Sequence, residues 1–306
     1  MSSFIVAVVQ ASSKLFNTSA TLDVFEAKLG EAKALGAELV VFPEAFIGGY
    51  PKGIDFGVRV GMRSAEGREQ FAAYVDGAIS RSSPEMERIC KSVKAAGVNV
   101  VVGLIERDGG TLYCSSVCIG RDGEVLSWHR KLMPTAMERV IWGQGDGSTM
   151  KVAQTDIGIV SMAICWENYM PLYRQHLYDQ GTQLHCVPTV DDRDVWLPTL
   201  QSIALEGRCF VLSACQYMTV GDVTADWYDP IQGTMPETVL IRGGSCIISP
   251  MGEILAAPVY NKEAILTARI DLDAIKGAKF DLDTSGHYAR PDVFKLAVVT
   301  EPQVKS

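Results

Sequence analysis

A cysteine, a glutamate and a lysine in this chain each stand where an apolar run stops. Ile159-Val160-Ser161-Met162-Ala163-Ile164 breaks at Cys165-Trp166-Glu167-Asn168. A short β-branched stretch that ends in polar and aromatic residues reads as a buried strand emptying into a loop. Leu39-Val40-Val41-Phe42-Pro43 runs directly into Glu44, and Val125-Leu126-Ser127-Trp128-His129-Arg130 delivers Lys131. In open α/β sheets the carboxyl ends of strands are where ligands bind. The three residue types make a set for covalent catalysis: a thiol to attack, a carboxylate to move the proton, an ammonium to stabilise developing negative charge. Singly, each also has an ordinary explanation, as a loop carboxylate, a solvated edge-strand charge or a small buried hydrophobe. Spacing alone does not bring them together.

The elements that must position them begin as β-α-β. Residues 5–9 read as a strand. Residues 22–35 read as a helix with Phe25, Leu29, Ala32 and Leu35 on one face, ended by Gly36, and 39–42 as a second, parallel strand. Glu44 then sits at a strand's carboxyl end. The glycine-rich stretch 48–67, with Tyr50 and Phe56, is loop-like. A helix over 68–79 precedes one opened by Ser83-Pro84-Glu85 and stopped at Gly97. Asp108-Gly109-Gly110 and Asp122-Gly123 are turns that make 98–131 a β-meander. Residues 152–164 read as a strand pair broken at Gly158. Helices follow over 171–178 and 197–206 and strands over 184–187 and 210–214, while 239–250, 253–256 and 264–270 close the sheet. Both halves share a β-α-β-plus-meander order, which fits two sheets with helices outside. No linker interrupts the chain, so 1–306 is expected to be one domain, with 279–306 a tail packed on a surface or at an oligomer interface.

The net charge is −8 and no Lys/Arg-rich block occurs, which argues against nucleic acid and anionic membrane surfaces as partners. No apolar run approaches the ~20 residues that span a bilayer. Eight cysteines, several inside apolar segments, and an N-terminus that enters a strand almost at once point to a cytoplasmic chain with reduced thiols. A chain this long buries roughly 75% of its unfolded surface and needs neither disulfides nor a structural metal.

In this order the segments resemble the nitrilase superfamily. Val-Val-Phe-Pro-Glu44-Ala-Phe, His-Arg-Lys131-Leu-Met-Pro and Cys165-Trp-Glu-Asn match its three motifs. The likeness continues through Gly48-Gly49-Tyr50-Pro51, Glu138-Arg139-Val140-Ile141-Trp142-Gly143, Met170-Pro171-Leu172-Tyr173-Arg174 and His287-Tyr288-Ala289-Arg290-Pro291, covering most of the chain. The resemblance implies an α/β fold, a four-layer α-β-β-α sandwich. It also implies a Glu44–Lys131–Cys165 triad with a second glutamate, Glu138, that holds Lys131 and orients substrate or water. No cofactor or metal is implied. The substrate would be a small nitrile, hydrolysed to carboxylic acid and ammonia through a cysteine thioimidate and thioester, in a homodimer or higher homo-oligomer. Trp166 followed by Glu-Asn looks like the nitrilase branch. Gly49-Tyr50-Pro51-Lys52-Gly53 looks like nitrilases acting on aryl or arylalkyl nitriles. Tyr50, Trp142 and Trp166 are candidates to line an apolar pocket.

Cys165 is expected to rest as a thiol whose proton Glu44 takes as attack occurs, rather than as a standing thiolate. Lys131 pulls the thiol pKa down from ~8.5 and Glu44 pushes it up. His129, two residues before Lys131 on an extended segment, shares its face and is expected to support rather than react. The alternatives are an amidase or N-carbamoyl hydrolase of the same fold, or a non-catalytic oligomeric binding protein; the intact Glu44, Lys131 and Cys165 argue against the last. A papain-like Cys–His pair, a zinc site and a nucleotide loop lack their motifs.

Overall fold

Alternation along the strands sorts apolar side chains onto two faces, and the fold follows from covering both. The computed structural model describes residues 3–302. Its first half runs β1 (Ser3–Gln10), α1 (Thr18–Ala34), β2 (Ala37–Val41), α2 (Ala65–Gly77), α3 (Pro84–Ala96), β3 (Asn99–Asp108), β4 (Thr111–Ile119) and β5 (Val125–Arg130). The second runs α4 (Glu138–Ile141), β6 (Ala153–Thr155), β7 (Gly158–Met162), α5 (Pro171–Asp179), β8 (Leu184–Thr189), α6 (Trp196–Gly207) and β9 (Phe210–Cys215). It ends with β10 (Tyr217–Thr219), β11 (Val239–Arg242), β12 (Cys246–Ile248), β13 (Ile254–Ala256), β14 (Ala264–Asp271) and α7 (Asp273–Ala278).

Two six-stranded sheets result, ordered β14-β1-β2-β3-β4-β5 and β13-β12-β9-β8-β7-β6. Val6, Val8, Leu39 and Val41 of the first meet Met162, Leu184, Phe210 and Leu212 of the second. The intervening residues Ala7, Val9 and Val40 face the other way, onto Phe25 and Leu29 of α1 and Ile89 and Val93 of α3. Val187, Val211 and Ile248 likewise pack on Leu200 and Ile203 of α6. Each fully buried aliphatic or aromatic side chain stabilises by about 1.5–3 kcal/mol, and each sheet carries a buried apolar cluster on both faces. The architecture is the expected four-layer α-β-β-α sandwich. The central strands β1, β2 and β3 are mutually parallel, as are β7, β8 and β9, so the loops after β2, β7 and β8 all leave from carboxyl ends.

Helix α1 begins before the expected residue 22 because the Asn17 side chain caps it, accepting from Ala20 N at 3.0 Å. Helix α2 starts at Ala65 on a Ser64 cap. The larger difference lies in 239–270, which does not close one sheet. Strand β11 pairs with β10 as a separate ribbon, and β14 crosses to the first sheet, antiparallel to β1 from Ser3↔Asp271 to Gln10↔Ala264. The break comes at Gly243 and Gly244, with φ +92° and +109°. A Cβ on Gly243 would fall 2.3 Å from Gln10 Nε2, while Gln10 Oε1 accepts from Gly244 N and Ser245 N at 2.8 and 2.9 Å.

Residues 279–302 contain no helix or strand. They lie against the second half of the chain: Thr284 O accepts from Gln175 Nε2 at 3.2 Å, and Val298 packs on the cluster of Met150, Tyr173 and Leu177. Among the described residues no helix is long and apolar enough to cross a membrane.

Candidate active site

Glu44 leaves β2 three residues after Val41 and is fully buried. Its position depends on a close backbone approach. Gly103 of β3 donates its N–H to Pro43 O at 3.2 Å, and a Cβ there would fall 2.7 Å from Glu44 Cα. Any larger residue would push the glutamate away. Gln216 Nε2 donates to Glu44 O at 2.9 Å, and Val190 N donates to Glu44 Oε2 at 3.1 Å.

Lys131 follows β5 by one residue. Its N–H donates to Cys114 O at 2.8 Å, so pairing with β4 continues and the side chain points inward, as does that of His129. Arg130 between them points out, to Glu106 and Asp108. The buried Lys131 Nζ donates to Glu44 Oε1 at 2.6 Å and to Glu138 Oε2 at 2.8 Å. Glu138 opens α4, where Thr135 N donates to Oε2 at 2.6 Å and Tyr50 OH to Oε1 at 2.7 Å. One ammonium is thus shared by two carboxylates in a buried site.

Cys165 lies three residues beyond β7, at the start of a 3-10 turn over Cys165–Tyr169. Its φ is +49°, the left-handed region that costs a non-glycine residue energy and is held only by its surroundings. Cys165 is buried, and the thiol that hydrogen-bonds Glu44 is that of Cys114, whose Sγ donates to Oε1 at 3.6 Å. Burial, and then the Glu44 charge, push the Cys165 pKa well above the ordinary cysteine value, against the pull of Lys131. Burial also pushes Glu44 up; Lys131 opposes this and the Glu138 charge adds to it. Lys131 is raised too: burial disfavours its charge, but Glu44 and the groups around it outweigh burial. The resting arrangement is therefore a protonated thiol and an ammonium beside a carboxylate of raised basicity, which is the set needed to move a proton off sulfur during attack.

Cys165 opens into a cavity of about 230 Å³ lined by Tyr50, Lys52, Glu138, Trp166, Asp191 and Arg193 among others. Tyr50 and Trp166 both line this cavity. Trp142 is not on this wall. It is buried beneath Lys131, 5.7 Å from its Nζ, donates to Tyr74 OH at 3.2 Å, and lines an adjoining cavity of about 250 Å³ that shares Tyr50 and Glu138. Trp166 is partly exposed. Its indole N–H donates to Asp191 Oδ2 at 2.8 Å and the Arg193 guanidinium lies 4.8 Å over its ring, with Arg193 Nε bonded to Asp191 Oδ1 at 2.8 Å.

The segment Val190–Arg193 was missed by sequence reasoning, although it follows an apolar strand just as Cys165 does. Its acidic run hid it among loop charges. Glu167 and Asn168 were seen only as motif letters. Glu167 accepts from His129 Nε2, Leu132 N and Ile164 N at 2.9, 2.7 and 2.7 Å. Asn168 Nδ2 donates to Cys165 O at 2.8 Å and Asn168 Oδ1 pairs with His185 Nε2 at 2.8 Å. Burial and then Arg174 hold His185 down to about 3, so it is neutral. Among the described residues the eight cysteines form no disulfide.

The profile of the carbon–nitrogen hydrolase family matches residues 5–280. A nitrilase of Bradyrhizobium diazoefficiens is 52% identical over 297 residues, spanning 97% of this chain and 92% of that one. An arylacetonitrilase of Trametes versicolor is 48% identical over 312 residues, spanning 98% of each. The crystal structure of Saccharomyces cerevisiae Nit3 superposes with a TM-score of 0.71 at 18% identity, over 94% of this chain and 97% of that one, a likeness of fold. With the family profile covering nearly the whole chain and relatives at about half identity end to end, this protein belongs to the carbon–nitrogen hydrolase family, within the nitrilase superfamily.

Proposed function

We propose that the chain is a nitrilase that converts an organic nitrile, of aryl or arylalkyl type, to its carboxylic acid and ammonia. The observation that carries the reading is one buried ammonium set between Glu44 and Glu138 with Cys165 opening beside them. Cys165 Sγ attacks the nitrile carbon while Glu44 takes the thiol proton. The nitrile π pair goes to nitrogen, which is protonated from Glu44 to give a thioimidate. A water adds to the thioimidate carbon, Glu44 takes its proton and returns it to nitrogen, and Lys131 stabilises the tetrahedral species. As that species collapses to the thioester, its hydroxyl proton passes through Glu44 to nitrogen and ammonia leaves. A second water, activated by Glu44, breaks the thioester and frees the acid and the thiol. Lys131 contributes a compact charge, and Glu138 with Tyr50 holds it in line.

Tyr50 and Trp166 on the cavity wall, and the arylacetonitrilase among the relatives, support the aromatic substrate class. Trp142 contributes as the floor under Lys131. We read 1–306 as one cytoplasmic domain with reduced thiols that works as a homodimer or small homo-oligomer. The exposed Phe280 and Phe294 of the tail support a tail packed at an interface.

The test is ammonia release from phenylacetonitrile, benzonitrile, an aliphatic dinitrile and the matching amides, with Cys165→Ala as control. Turnover of nitriles that is lost in the variant is expected. Turnover of amides alone would move the chain to amidase chemistry, and turnover surviving in Cys165→Ala would remove the thiol from the mechanism.

A further inference from the structure

Nothing in the two β-ladders sets the distance from Lys131 to Cys165. Lys131 follows β5, at the edge of the first sheet, and Cys165 follows β7 in the second. The two ladders share no strand pairing among the described residues, and the sheets pack through side chains such as Val8, Leu39, Met162 and Leu212. A reaction in which sulfur, ammonium and base act on one carbon needs that distance held to a fraction of an ångström, since a misplacement of ~1 Å can cost ~10²-fold in rate.

We propose that Glu167 is a positioning residue that fastens the Lys131 segment to the Cys165 segment; the assignment rests on the Glu44–Lys131–Cys165 chemistry proposed above. Its side chain is fully buried. Oε1 accepts from the backbone N–H of Leu132 at 2.7 Å, the residue after Lys131. Oε2 accepts from the N–H of Ile164 at 2.7 Å, the residue before Cys165. One rigid carboxylate therefore spans the two strand ends.

The carboxylate is itself held. His129 Nε2 lies 2.9 and 3.1 Å from its two oxygens. His129 Nδ1 pairs with Thr149 Oγ1 at 3.1 Å, and the ring stacks on Tyr173 at 5.4 Å between centroids. The Tyr173 hydroxyl donates to Met162 O at 2.7 Å, returning the network to β7. Glu167 N also donates to Ile164 O at 3.1 Å, so Ile164 is gripped through both backbone groups just ahead of the left-handed Cys165. On the other side Asn168 holds Cys165 O. The strained elbow is fixed at both ends, and the end next to Ile164 is tied to Lys131.

The chemistry explains why a carboxylate stands here. Two buried N–H donors and an imidazole converge on one group, and a carboxylate accepts at both oxygens. Glutamine offers a single oxygen, so Glu167→Gln leaves one of the two amides without an acceptor and frees one strand end.

The experiment compares Glu167→Gln with wild type in the full chain, reading kcat and KM on phenylacetonitrile, the rate of Cys165 alkylation by iodoacetamide, and Tm. Expected are a kcat lower by about 30-fold with KM within about 3-fold, together with a Cys165 alkylation rate at least about 10-fold lower. A lower Tm with unchanged kcat and alkylation would make Glu167 merely structural and overturn the proposal. If Glu167→Gln does not fold, His129→Leu keeps the carboxylate and removes its lateral tether. A kcat loss of about 3–10-fold at constant KM is then expected, and an unchanged kcat overturns the proposal. If wild type releases no ammonia from any nitrile, the nitrilase reading fails, while the alkylation rates still decide the role of Glu167.

Discussion

Lys131 Nζ sits 2.6 Å from Glu44 Oε1, with neither side chain exposed to water. Taking away one member of such a buried pair strands the other charge and costs about 3–5 kcal/mol. The pair is nevertheless unbalanced, because Glu138 at 2.8 Å adds a second carboxylate to the same ammonium. Burial and that surplus negative charge keep Glu44 basic, and burial with Glu44 keeps Cys165 protonated.

Keeping the charge is therefore not enough. Lys131→Arg retains a cation, but its planar fork cannot replace a point charge that meets two carboxylates at 2.6 and 2.8 Å inside a close-packed floor. Activity should fall by at least about 10³-fold, with a lower urea midpoint from overpacking. Ammonia release on the folded variant checks this, and retention of a tenth of wild-type kcat would contradict it.

Glu44→Gln separates proton transfer from thiol access. Loss of a general base costs about 10²–10⁴-fold, so kcat should fall within that range. Because the Glu44 charge is one of the causes that raise Cys165, the pH midpoint of Cys165 alkylation should move down in the variant. A midpoint that stays put or rises would show that the two groups do not sense each other.

Asp191 fixes Trp166 through its indole N–H and Arg193 through its guanidinium. Asp191→Ala releases both from the cavity wall. The ratio of kcat/KM for phenylacetonitrile against a small aliphatic nitrile should change by about 5–30-fold, the scale of ~1–2 kcal/mol in a hydrophobic pocket. Equal loss on both substrates would point to a general folding defect, and urea melts distinguish the two.

His185 gives a pH window for stability. Its pKa is lowered from 6.5 to about 3, so the folded form stays neutral while the unfolded chain takes a proton. Stability from this residue is present above pH 6.5 and is lost as pH falls from there toward 3. At pH 5 the loss is about 2 kcal/mol. His185→Gln, whose amide can still reach Asn168, should lose less stability than wild type between pH 7 and 5. Parallel urea titrations at the two pH values give the comparison.

Much of the frame was legible along the chain. The caps at Asn17 and Ser64 were missed, but Ser83-Pro84 opens α3 and Gly97, at φ +66°, ends it, as read. The β-α-β start read over 5–9, 22–35 and 39–42 corresponds to β1, α1 and β2, with Phe25, Leu29 and Ala32 on the buried face of α1. The fate of 264–270 was not legible, since its pairing with β1 joins residues some 260 positions apart and depends on the segment 257–263 that carries the chain from β13 in the second sheet to β14 in the first. Trp142 read as a pocket candidate from its type; that it also lies beneath Lys131, just past the end of α4, was not legible.

By itself the sequence determined which groups were available and at which strand ends: Glu44, Lys131 and Cys165 each follow an apolar run, and strand ends are a local property of pattern. Only the tertiary structure decided that these ends converge, that Glu138 shares the Lys131 ammonium, and that Glu167 binds the amides on both sides of the gap between sheets. The reason is physical. Charge-assisted hydrogen bonds strengthen when water is excluded, and water is excluded here only once two sheets from distant parts of the chain have packed face to face.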